Sequence, residues 1–130
     1  MEAARIKAIP LFAGLPEPEV EAIAAVAKEI EAAQGPVASE GDFGHALFAI
    51  ESGTAEVSVD GEPLRTLGPG DVFGEIAVMS AGRRTASVVA TSPLKLITIF
   101  KPDVWRLERS APEAAGRLRG LLDEHRSPAA

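Results

Sequence analysis

From Val37 to Phe100 the chain is cut repeatedly by turn signals: Glu40-Gly41-Asp42, Ser52-Gly53, Asp60-Gly61, Gly68-Pro69-Gly70-Asp71 and Ser92-Pro93. The stretches between them are short and apolar or alternating. Leu47-Phe48-Ala49-Ile50 and Ala55-Glu56-Val57-Ser58-Val59 read as strands, the second with period two. Asp60-Gly61 is a hairpin signal joining that strand to Pro63–Leu67. Two further strands are predicted over Thr85–Thr91 and Leu94–Phe100. Many short strands with Gly-rich turns lead to a sandwich or barrel, here a jelly-roll-like β-roll (a double-stranded β-helix).

Helical patterns flank this centre. After Leu15-Pro16, Val20, Ile23, Val26, Ala27 and Ile30 recur at helical spacing. Glu17, Glu19, Glu21, Glu29 and Glu31 fall largely on the other face, and Gln34-Gly35-Pro36 is the expected stop. Lys101-Pro102-Asp103 opens a helix with Val104, Leu107 and Trp105 toward the core. Ser110-Ala111-Pro112 breaks it and starts another, carrying Leu118, Leu121 and Leu122. The expected organisation is one domain over 1–130: N-terminal helices in 1–34, a β-roll in 35–100, and two C-terminal helices in 101–125.

Composition agrees with one folded domain, at 130 residues, 46% hydrophobic and 25% charged. With no cysteine there is no disulfide and no Cys-ligated zinc, and a cytoplasmic protein is expected. No apolar run approaches the ~20 residues of a membrane-spanning helix. A net charge of −6 opposes nonspecific adsorption to nucleic acid, so no nucleic-acid partner is expected. The same field opposes an anionic ligand, so any phosphate must be held by local donors.

One segment supplies such donors. Gly74 permits close backbone approach or a positive φ. Glu75 to Met79 is long enough for about one helical turn, whose free N–H groups would face whatever lies beside Gly74. Gly82 turns the chain, and Arg84 opens a strand from which a guanidinium can be aimed. Glu75 would repel a phosphate, yet it suits a sugar hydroxyl beside one. A carboxylate acceptor next to an anion clamp is what a ribose phosphate needs.

Phe73-Gly74-Glu75-Ile76-Ala77 followed by Arg84-Thr85-Ala86-Ser87-Val88 resembles the phosphate-binding cassette, residues 73–88, of the cyclic-nucleotide-binding domain family. Ile9-Pro10-Leu11-Phe12-Ala13-Gly14-Leu15, Glu40-Gly41-Asp42, Phe48-Ala49-Ile50 with Gly53, and Leu67-Gly68-Pro69-Gly70-Asp71-Val72-Phe73 extend the likeness over most of the chain. The resemblance implies that Glu75 accepts from the ribose 2′-hydroxyl and Arg84 pairs with the exocyclic phosphate oxygens. Backbone groups near Ile76 and Ala77, with Thr85 and Ala86, would complete the cage. The base would lie against Val72 and other apolar roll residues, capped from the last helix. The terminal helices would correspond to hinge and lid.

The implied function is a non-enzymatic sensor of cAMP, with cGMP second, that needs no cofactor and passes binding through its C-terminal helices. Its effector, whether another part of a longer protein or a separate partner, is not visible in this sequence. Thr85 stands where some relatives have Ala and Arg83 where many have Pro, which leaves nucleotide choice open.

Plainer readings compete. Arg84 could be a surface ion-pair residue, Glu75 a helix-dipole acid and Thr85 an ordinary strand residue. Arg106, Arg109, Arg117 and Arg119 alternate with Glu108 and Glu113 and read as a solvated helix face. A metal-dependent jelly-roll enzyme would need clustered ligands, and His45 and His125 are too few and too far apart. The alternative to a sensor is a degenerate roll acting as an interaction scaffold. Gly116 and Gly120 weaken the last helix by ~1 kcal/mol each, which predicts loose docking without ligand and order with it.

Overall fold

The computed structural model describes residues 1–38, 46–74 and 86–125. Helix α1 (Ala3–Lys7) leads through a 3-10 turn (Pro10–Phe12) into α2 (Glu17–Val26). Eight strands follow among the described residues: β1 (Lys28–Ala32), β2 (Gly35–Ala38), β3 (Ala46–Ser52), β4 (Ala55–Val59), β5 (Glu62–Leu67), β6 (Val72–Phe73), β7 (Ser87–Ala90) and β8 (Leu94–Phe100). Helices α3 (Lys101–Ser110) and α4 (Pro112–His125) close the described chain.

The strands form two four-stranded sheets in the orders β1-β8-β3-β6 and β2-β7-β4-β5, with every pair antiparallel. This is the expected jelly roll. Asp60 at φ 53° and Gly61 at φ 78° make the predicted tight hairpin, whose left-handed pair matches the twist of the flanking strands.

One expectation fails at the N-terminal boundary. The helix ends at Val26, Ala27 is extended, and Lys28–Ala32 forms an edge strand instead of a last helical turn. The helical period through Ile30 is therefore accidental. Pairing Lys28 with Thr98 through to Ala32 with Leu94 gives this segment five registered partners that a frayed helix end could not have. The roll thus begins at residue 28, not 35.

Sheet β1-β8-β3-β6 has cores on both faces. Leu47, Ala49, Ile97 and Ile99 face the helices, joining Ile6, Phe12, Val20, Ile23, Val104, Leu107 and Leu118. Phe48, Ile50, Leu94 and Leu96 face the other sheet and meet Ala55, Val57, Leu67, Val88 and Ala90 inside the roll. Burial on both faces explains why β3 from Ala46 to Ile50 reads as an unbroken apolar run and why β8 is apolar apart from Lys95 and Thr98.

The C-terminal helices also depart from expectation. Trp105 is half exposed rather than core, and carries the Lys101 ammonium 5.4 Å above its ring. Val104 and Leu107 alone suffice to seat α3. The last helix is seated through its first turns: Ala111, Ala114, Ala115 and Leu118 are buried, and α4 lies against α2, α3 and the 3-10 turn. Small side chains at Ala111, Ala114 and Ala115 allow the close approach, whatever the helix loses in propensity through its glycines.

Candidate functional site

Residues 73–88 leave one sheet and return on the other. On the departing side, β6 pairs with the middle of β3, Ala49 opposite Val72 and Phe48 opposite Phe73. The Phe48 and Phe73 rings stack with centroids 5.1 Å apart and planes at 24°. Because neighbouring strand residues point to opposite faces, Phe73 enters the roll interior while Val72 joins the core beneath the helices. Inside the roll Phe73 therefore lies with Phe48, a residue the sequence reading placed in a strand and not at the site. Its signal was the central place in a strand buried on both faces.

The approach to β6 is built by the turn at Gly68–Asp71. Asp71 accepts from the Gly68 N–H at 2.8 Å through its carboxylate, and its own N–H donates to the Gly68 carbonyl at 3.0 Å. The Gly70 N–H donates to Ile50 O at 2.8 Å, and Ile50 N–H to Asp71 O at 2.9 Å, which locks the turn to β3. Gly70 has φ 93°, and a Cβ there would come within 3.2 Å of the Pro10 ring. Immediately after β6, Gly74 takes φ 91°, the left-handed conformation the sequence suggested as one reason for glycine.

On the returning side, Ala86 packs partly buried against the roll interior, and β7 follows with Ser87 opposite Ser58. Val37 and Phe48, also partly buried, pack against the same interior cluster. Among the predicted site residues, Val72, Phe73, Gly74 and Ala86 are described; Glu75, Ile76, Ala77, Arg84 and Thr85 lie outside the described residues. Among the described residues no group of three or more His, Asp or Glu side chains could hold a metal ion.

Two charged residues have roles the sequence did not disclose. Glu19, expected on the polar face of its helix, is 8% exposed, and its Oε1 accepts from the backbone N–H groups of Glu113 and Ala114, both at 3.0 Å. Arg117, expected to be solvated, donates from Nη1 to the carbonyls of Leu11 at 3.0 Å and Ala13 at 2.6 Å. A signal for the first was present: α4 starts at Ala111-Pro112 with no side chain able to cap it.

The family model of the cyclic nucleotide-binding domain matches residues 32–110. The Cyclic AMP receptor protein of Thermus thermophilus is 34% identical over 123 residues, which cover 90% of this chain and 57% of that protein. A cyclic nucleotide-gated potassium channel of Rhizobium etli is 31% identical over 122 residues, covering 93% of this chain and 34% of the channel. The crystal structure of the Thermus thermophilus catabolite activator protein superposes with a TM-score of 0.80 at 34% identity, over 92% of this chain and 59% of that one. The chain thus spans between about a third and three fifths of these relatives. With the jelly-roll order, the left-handed glycine after β6 and the return into β7 all in place, the chain belongs to the cyclic nucleotide-binding domain family.

Proposed function

We propose that this chain is a non-catalytic sensor that binds cAMP in preference to cGMP, in the cytoplasm, and hands the signal to an effector through its C-terminal helices. In this reading Arg84 pairs with the cyclic phosphate and Glu75 accepts from the ribose hydroxyl. N–H groups near Ile76 and Ala77, with Thr85 and Ala86, close the cage. Phe48 and Phe73 offer the apolar wall for the base.

The observation that carries the reading is the frame around the cassette. A glycine at φ 91° ends β6, and a half-buried Ala86 leads into β7. The eleven residues between them in sequence, Glu75 to Thr85, carry an Arg one residue before their end. The charge balance fits as well: at net −6 an anion must be held by short-range donors, which Arg84 and a helical turn would supply.

Titration calorimetry with cAMP and cGMP tests it. Wild type should release heat with cAMP and bind cGMP more weakly. Arg84→Ala should weaken cAMP by roughly thirtyfold to several thousandfold, the effect of removing one partner of a desolvated charge pair. Arg84→Lys should also weaken it, because the two-pronged fork is lost. No heat and no thermal shift with wild type at millimolar nucleotide would leave an interaction scaffold instead.

A further inference from the structure

Two aromatic side chains reach the surface at the junction of β8 and α3: Phe100 is 47% and Trp105 50% exposed. Val104 and Leu107 seat α3 on the core, so the helical period sets Lys101, Trp105, Glu108 and Arg109 on its outward side. The Lys101 ammonium lies 5.4 Å from the centre of the indole, over its face. Both carboxylates of α3 are already engaged, Asp103 by Arg106 at 2.8 Å and Glu108 by Arg119 of α4 at 3.2 Å. Arg109 is exposed and makes no hydrogen bond or ion pair among the described residues. An indole thus sits between two cations, Lys101 one turn before it and Arg109 one turn after, on a protein of net charge −6.

We infer that this face of α3 is a docking surface for an acidic helical segment of a partner protein, in which two carboxylates flank an apolar side chain. Trp and Arg are the side chains on which binding energy concentrates at interfaces, because they bring a large contact area and directed charge. Lys101 and Arg109 lie about 12 Å apart along the helix axis, with Trp105 midway. A second helix laid alongside matches that spacing when Glu, Leu and Glu follow one another at intervals of four. Each carboxylate then meets a cation, and the leucine meets the indole. A second copy of this chain does not fit. Two-fold pairing of α3 about Trp105 would set Lys101 of each copy against Arg109 of the other, like charge on like. The surface is argued from α3 alone, so it goes beyond nucleotide binding and does not depend on it.

Trp105 is the one tryptophan of the sequence and there is no tyrosine, so intrinsic emission reports this face directly. The probe is a synthetic alanine-rich helical peptide of about sixteen residues carrying Glu, Leu and Glu at that spacing. The control peptide has Lys in place of both Glu. Titrated without nucleotide, the acidic peptide should move Trp105 emission to the blue and saturate. Raising the salt from about 0.05 to 0.5 M should weaken it several-fold, since the contacts are exposed ion pairs. Arg109→Glu, followed by emission, and Trp105→Ala, followed by calorimetry, should each weaken binding by about tenfold or more. Both side chains are exposed, so both variants should melt as wild type does. No response to the acidic peptide at millimolar concentration, an equal response to the lysine peptide, or undiminished binding by Arg109→Glu would overturn the inference. So would concentration-dependent dimerisation in sedimentation that Trp105→Ala abolishes, which would place a second copy on the face. Nucleotide enters none of these readouts, so a failure here and a failure of the sensor reading are told apart.

Discussion

Glu29 stands between two cations, Lys95 Nζ at 3.2 Å and Arg5 Nη2 at 2.6 Å, and Arg5 also forks onto Glu51. Hydrogen bonds first from Lys95 and then from Arg5 hold the Glu29 carboxyl below its ordinary value of 4.5. A carboxyl depressed in the folded state contributes stability above its unfolded value and loses it as pH falls through the folded one. Glu29→Gln should therefore be less stable than wild type at neutral pH, with the two melting curves converging in acid. A gap that widens in acid would contradict this. The residue is exposed, so the effect is small and shrinks with added salt. Gly53 carries a larger and purely steric demand. It has φ 98°, and a Cβ would lie 2.3 Å from the Pro93 carbonyl oxygen. Gly53→Ala should cost about 1–3 kcal/mol or more in urea denaturation, as the turn at Ser92-Pro93 must move.

Among the elements, α4 is held by packing and by its bonds to Glu19 and from Arg117 rather than by its own propensity. Gly120 has nothing within 4 Å of a would-be Cβ, and Gly116 meets only the flexible end of Arg119 at 4.0 Å. Both are helical, so alanine fits without strain. Gly116→Ala with Gly120→Ala should stabilise the protein by about 0.4–1 kcal/mol per site and raise its melting temperature. A lowered melting temperature would mean that the glycines serve a contact the helix makes in another state. Strand β1 teaches the converse. Its residues carry a helical period, yet the open edge of β8 claims them, and Ile30 ends 37% exposed instead of in the core. Local pattern set the odds, and long-range pairing chose the outcome.

For the molecule as a whole, the helices and the second sheet sandwich β1-β8-β3-β6, so the site's departing strand, the N-terminal helices and α4 share one core. A ligand bound at the cassette should stabilise this whole unit. At cAMP a hundredfold above its dissociation constant, stability should rise by about 2.7 kcal/mol, read as an upward thermal shift that Arg84→Ala cuts to about 0.9 kcal/mol or less at the same concentration. A shift undiminished by the substitution would place the ligand elsewhere.

The sequence by itself determined the jelly roll, because turn-forming glycines and strand-length apolar runs are local signals that need no knowledge of partners. It also determined the glycine after β6 and the hairpin at Asp60-Gly61, both of which rest on backbone conformations few residues tolerate. Only the tertiary structure decided where α2 stops, which side of β6 faces the roll, and that Trp105 lies outside the core. It alone decided that Glu19 and Arg117 hold the last helix, over separations of 94 and 106 residues. A charge on a helix face looks the same in sequence whether it meets water or a distant backbone. What separates the two is which segments the fold brings together.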